Sequence, residues 1–142
     1  MPPEPIIQSI AGWAKTHPEI QAAALVGSRA SGTARPDSDF DLVLLVTLPE
    51  AFRLDTGWLD EIGWSMIGAQ PARWVDEDYG ALWSRRVWLE PAGEEIEFGF
   101  AAPSWAETHP IDPGTRRVIA DGCRVLHDPQ GLLRRLCNAL RK

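Results

Sequence analysis

Two stretches of the chain carry residues whose types and spacing can do chemistry. Gly27-Ser28 closes one apolar run, and ten residues later Asp39-Phe40-Asp41 opens another. A glycine at the end of a buried strand lets the backbone turn tightly and lets a ligand approach it closely. A serine that starts a helical turn sits where free N–H groups point outward, a ready phosphate site. Arg29 and Arg35 lie in the same loop and are candidates for adding positive charge to it. Asp39 and Asp41, at i and i+2 of a strand, share one face side by side. Two carboxylates held that close repel each other unless something positive sits between them. Divalent metal is the usual solution, and Mg2+ takes one or two carboxylates with waters and substrate phosphates. Two such ions would clamp the attacking and leaving oxygens of an in-line displacement at phosphorus. That arrangement needs a further carboxylate from a neighbouring strand. Glu95 and Glu97 fall on one face of a later strand. Glu97, flanked by Ile96 and Phe98, is the better candidate, whereas Glu95 stands nearer a turn.

These residues need elements to position them. The apolar spacing of Ile6, Ile7, Ile10 and Ala14 predicts a helix over 6–15 that stops before His17-Pro18. A buried strand is expected over 20–26, a short helix from Ser28 to Gly32, a turn at Arg35-Pro36-Asp37-Ser38, and a strand over 39–47. A helix is expected over 56–64 with Thr56 as its cap. Residues 73–76 read as a strand, and 82–90 and 94–101 as a hairpin around Pro91-Ala92-Gly93. In the returning strand Ile96, Phe98 and Phe100 share one face, and Glu95, Glu97 and Gly99 the other. A helix over 112–120, a short strand over 124–126 and a last amphipathic helix capped by Asp128 complete the plan. The fold class is α/β (α+β): a small, mixed, partly antiparallel sheet with helices packed on it. It is read as one domain over 1–142, with a motif core at about 20–101 and a C-terminal helix-strand-helix segment over 112–141.

Strand, Gly-Ser, short helix, Asp-x-Asp strand and a later acidic strand, in this order, resemble the DNA polymerase beta-like nucleotidyltransferase superfamily. The wording around the motif, Val26-Gly27-Ser28-Arg29-Ala30-Ser31-Gly32 and Asp37-Ser38-Asp39-Phe40-Asp41-Leu42, looks like the minimal and the aminoglycoside nucleotidyltransferases. The resemblance implies that Gly27 and Ser28 hold the terminal phosphates of a nucleoside triphosphate, ATP by default. It implies that Asp39 and Asp41 bind Mg2+, and that the third carboxylate, mapped onto Glu97, completes the metal site and helps activate an acceptor hydroxyl. A nucleoside monophosphate would pass to a small molecule or a protein, with pyrophosphate leaving. Two further readings belong to other classes. One is an antitoxin-like minimal nucleotidyltransferase that acts on or sequesters a HEPN-type partner; the other is a nucleotide-binding module without catalysis. Aminoglycosides are polycations, and the acidic stretch Asp76-Glu77-Asp78 and the pair Glu94-Glu95 are candidates to face one.

Composition bounds these readings. At 142 residues and 44% apolar the chain suffices for an ordinary core. No apolar run is long enough to span a membrane, and Met1 to Pro5 lack the pattern of a secretory signal. Cys123 and Cys137 stand apart in sequence, fit neither a disulfide framework nor a zinc site, and suggest a reducing cytoplasm. A net charge of −6 argues against bare nucleic acid as the partner. The length is about the minimum for such a catalytic fold, so acceptor specificity is expected from a protein partner or a second copy of the chain. Of the seven Trp, most are expected in the core and one or two beside a pocket.

Overall fold

A computed structural model describes residues 3–140; Met1, Pro2, Arg141 and Lys142 lie outside the described residues, and with them part of the expected N-terminal reading and the end of the last segment. The first helix, α1 (Pro3–Thr16), begins earlier than its apolar spacing requires, because prolines in a first turn lose no helical hydrogen bond. Next come β1 (Ile20–Val26), α2 (Ser28–Ser31) and β2 (Phe40–Val46). The expected helix over 56–64 is not continuous. Here the chain forms α3 (Pro49–Leu54), α4 (Trp58–Glu61) and a 3-10 turn (Trp64–Ile67). Gly57, not Thr56, precedes α4, and Gly57 N–H donates to Asp55 Oδ1 at 2.8 Å. Gly63 then separates the helical turn from the 3-10 turn. Proline at the first position of α3 starts a helix that the apolar spacing alone does not reveal.

The second half holds β3 (Gln70–Asp78), β4 (Trp83–Glu90), β5 (Glu95–Ala101), a 3-10 turn (Pro103–Ala106), α5 (Pro113–Ala120), β6 (Cys123–His127) and α6 (Leu132–Leu140). Asp112 caps α5 by accepting from Gly114 and Thr115, and Asp128 accepts from the N–H groups of Leu133 and Arg134. Among the described residues six strands form one mixed sheet in the order β3-β4-β5-β2-β1-β6, with β2 and β5 parallel and the other neighbours antiparallel.

Helices cover both faces. Leu25, Leu42, Leu44, Phe98 and Phe100 point to one side and pack with Ile6, Ile10, Trp13, Phe52 and Trp58 from α1, α3 and α4. Ala24, Val43, Leu45 and Ala101 point to the other and pack with Ile119, Leu133 and Leu136 from α5 and α6. This alternation is why these strands read as nearly unbroken apolar runs. Trp13, Trp58, Trp64 and Trp83 are buried, Trp88 and Trp105 are half-buried, and Trp74 is exposed. The cysteines, distant in sequence, meet: Cys137 Sγ lies 3.8 Å from Cys123 Sγ, and both are free thiols. Burial, then Cys137, pushes the Cys123 thiol up to about 12.

Candidate active site

The candidate site opens where β1 ends. The backbone turns at Gly27 with φ 75°, a conformation that favours glycine. Gly27 O accepts from the N–H groups of Ala30 and Ser31 at 3.1 Å, so the turn runs directly into α2 with Ser28 as its first residue. Arg29 folds back over the following loop. Its Nη2 and Nε donate to Ser38 O at 2.7 and 3.2 Å, and its guanidinium lies 4.1 Å from the Phe40 ring centroid. Arg29 thus fixes the entry into β2, immediately before Asp39. Ser38 Oγ accepts from Arg35 N–H at 2.8 Å and closes the turn, while Arg35 itself is exposed.

Asp41 stands in register with Val26 of β1 and with Glu97 of β5. Residues directly opposite each other in neighbouring strands share a face, so Asp41 and Glu97 project to the same side. With Gly27, Leu82, Gly99, Val118 and Asp121 they line a recess of about 260 Å3. A Cβ at Gly27 would lie 2.6 Å from Asp41 Oδ2. Gly27→Ala should therefore both strain the turn and push the Asp41 carboxylate away, costing about 2 kcal/mol. Urea unfolding measures the loss; a variant as stable as the wild type would show that the turn has room the structure does not contain.

From the other side of β5, β4 brings Arg86 into register with Glu97. Arg86 Nη2 donates to Glu97 Oε2 at 2.8 Å, Nη1 donates to Glu95, and Nη1 lies 3.5 Å from Asp39 Oδ2. Burial works against the guanidinium's charge, but the hydrogen bond to Glu95 and the charges of Glu97 and Asp39 outweigh it and raise its pKa. Asp41 is treated differently. Burial, then the negative charges of Asp39 and Glu97, push it up to about 6 against the opposing pull of Arg86. Glu95 and Glu97 thus both meet Arg86, but they face different recesses: Glu97 lines the one beside Asp41, and Glu95, opposite Trp88, lines the one between the Pro36–Ser38 turn and the Ala92-Gly93 turn.

The donor set, all carboxylate oxygen, suits a hard cation such as Mg2+. Its arrangement does not yet cage one. Among the described residues no three acidic, histidine or cysteine side chains converge to hold a metal ion; Asp39, Glu95 and Glu97 each lie against Arg86.

Arg86 and Asp121 are the parts of this site that motif reading misses. Strand alternation over 82–90 could have found Arg86: it places Ser84, Arg86 and Trp88 on one face, and the register across the hairpin turn makes that the face of Glu95 and Glu97. The observed register pairs Arg86 with Glu97 and Trp88 with Glu95. Asp121 reaches the recess from the end of α5, and no local pattern announces that. The acidic stretch is largely engaged elsewhere: Asp76 binds Arg85, and Asp78 binds Arg53 and Gly80 N–H. Glu77 accepts from Tyr79 Oη at 2.9 Å.

A mixed sheet whose Gly-Ser turn and Asp-x-Asp strand meet at one end defines a DNA polymerase beta-like nucleotidyltransferase. The family model for streptomycin adenylyltransferase matches residues 3–90, and the chain belongs to that family. The match contains Gly27, Ser28, Asp39, Asp41 and Arg86 and ends before β5, so Glu97 enters the site by its register with Asp41 and its bond from Arg86, and Glu95 by its bond from Arg86. No curated protein matches the chain.

Proposed function

We propose that the chain transfers the adenylyl group of ATP to a hydroxyl of a small molecule, an amino-sugar polycation being the first class to test. Family membership supports ATP as the nucleotide and a small molecule as the acceptor. The observation that carries the site assignment is the register of Asp41 with Glu97 across β2 and β5, beside the Gly27 turn. In this reading Gly27 and Ser28 receive the terminal phosphates. Asp39, Asp41 and Glu97 would hold Mg2+, which when bound neutralises charge on the phosphates and on the leaving pyrophosphate.

The acceptor oxygen attacks the α-phosphorus. A new P–O bond forms, the bond from the α-phosphorus to the bridging oxygen breaks, and pyrophosphate carries away that electron pair. The hydroxyl proton goes to the carboxylate of Glu97. The chain's own contribution is positioning together with a fixed negative face. That face also attracts a polycationic acceptor, in keeping with the net charge of −6.

The test is pyrophosphate release from ATP, with GTP as comparison, in the presence of Mg2+ and a panel of aminoglycosides. The expected result is release and adenylylated product with the wild type and background with Asp39→Ala/Asp41→Ala. Background rates with every acceptor, and nucleotide binding unchanged in the double variant, would sink the proposal.

A further inference from the structure

We infer that Arg86 is an exchangeable internal cation: its guanidinium holds Asp39, Glu95 and Glu97 together before substrate arrives and releases them when a divalent cation enters with its nucleotide. The inference rests on the proposed adenylyl transfer. One guanidinium here serves carboxylates from two separate segments, the approach to β2 and the start of β5. Nη2 donates to Glu97 Oε2 at 2.8 Å, so a cation bound through that oxygen would share it with the guanidinium. Arginine and a hard cation compete for the same carboxylate oxygens, and two positive charges at one position repel. Arg86 thus occupies the position between Asp39, Glu95 and Glu97 that a cation shared by these carboxylates would take.

The arginine is also placed to leave. Its side chain is 27% exposed, in contrast to its neighbour Arg85 at 1%, so solvent lies within reach of a rotamer change while β4 stays in register. In this way the site keeps its carboxylates gathered without metal and still exposes them to the incoming cation.

The test titrates wild type and Arg86→Met with Mn2+ in the presence of a non-hydrolysable ATP analogue, by calorimetry. Loss of the competing charge should tighten Mn2+ binding roughly tenfold. In wild type, the Arg86 Nη signals in 15N NMR should be separate without cation, because the bonded guanidinium rotates slowly, and should merge at Mn2+-free saturation with Mg2+. Equal or weaker Mn2+ binding by folded Arg86→Met, or Nη signals unchanged by Mg2+, overturns the inference. If Arg86→Met fails to fold, the wild-type NMR result decides. Mn2+ binding that Arg86→Met leaves unchanged but Asp39→Ala/Asp41→Ala abolishes would overturn the role of Arg86 and leave the proposed function standing. No binding by any of the three proteins would overturn both.

Discussion

Asp76→Ala should lower folding stability by about 3 kcal/mol, or roughly 10 °C in Tm, although Asp76 belongs to no active-site group. The cause is its partner. Arg85 is 1% exposed, donates from Nε and Nη2 to the two Asp76 oxygens at 2.7 and 2.9 Å, and has one further acceptor, Arg53 O, at 3.2 Å. Its Nη1 is buried without a partner, and the rings of Trp58, Trp74 and Trp83 surround the guanidinium with centroids at 5.4–5.5 Å. Those ring faces attract a cation but cannot replace a carboxylate. Removing Asp76 leaves a desolvated charge unmatched, and such losses run to about 3–5 kcal/mol. The lower figure applies because Asp76 keeps a quarter of its side chain in solvent. Arg85→Met/Asp76→Leu should recover most of the loss, since an apolar pair of similar volume carries no desolvation cost. Urea unfolding of the single and double variants measures both. A single variant within 0.5 kcal/mol of wild type would mean that the aromatic rings alone satisfy the arginine.

Asp41→Asn should abolish adenylyl transfer, by about 100-fold or more, while making the unliganded protein more stable. The ordinary value for an aspartate is 3.8, and in the folded protein burial and the charges of Asp39 and Glu97 raise Asp41 to about 6. Below pH 3.8 the carboxyl is protonated both folded and unfolded and contributes nothing. As pH rises from 3.8 to 6 the unfolded chain releases this proton and the folded one retains it, so wild type loses stability across that window. Above pH 6 the penalty is complete. Asparagine cannot ionise, so the variant escapes it. The gain should grow between pH 4 and 6 and then level, at about 1 kcal/mol after allowance for solvent screening of a partly exposed group. Thermal unfolding at pH 4, 5, 6 and 8 checks the trend. A gain that is flat in pH would place the cause outside Asp41's charge.

Most of the sheet was legible because its strands are governed by local pattern. β1 falls where its apolar run lies, β2 is one residue shorter than expected at each end, and β5 is one residue shorter at its start. The alternation of Ile96, Phe98 and Phe100 with Glu95, Glu97 and Gly99 matches two covered faces that accept different side chains. Between Pro49 and Gln70 the structure departs from the expected helix because glycines interrupt a seemingly continuous apolar spacing, and because Asp55, not Thr56, accepts the N–H of Gly57 ahead of α4. β3 is longer than its expected 73–76 because its hold on the sheet comes from β4 and from Arg85 across the strand, not from apolar residues of its own. In the candidate site, Gly27, Ser28, Asp39 and Asp41 announce themselves by spacing within one contiguous motif. Glu97, Arg86 and Asp121 depend on which strands and helix ends become neighbours, and that is a property of topology. Arg29 shows what spacing leaves out: its guanidinium bonds Ser38 O and lies over the Phe40 ring, contacts that no local pattern announces.

The parallel contact between β2 and β5 has a kinetic consequence. Parallel neighbours cannot be joined by a tight turn, and here the intervening chain must build β3 and β4 before β5 can enter between β4 and β2. A nascent chain that has reached only residue 90 possesses the Gly-Ser turn and the Asp-x-Asp strand but neither β5 nor the acids on it. The recess is thus complete only when that seam has closed and α5 has docked beside it, so refolding followed by nucleotide binding would report the assembly of both rather than of the β3–β4 hairpin.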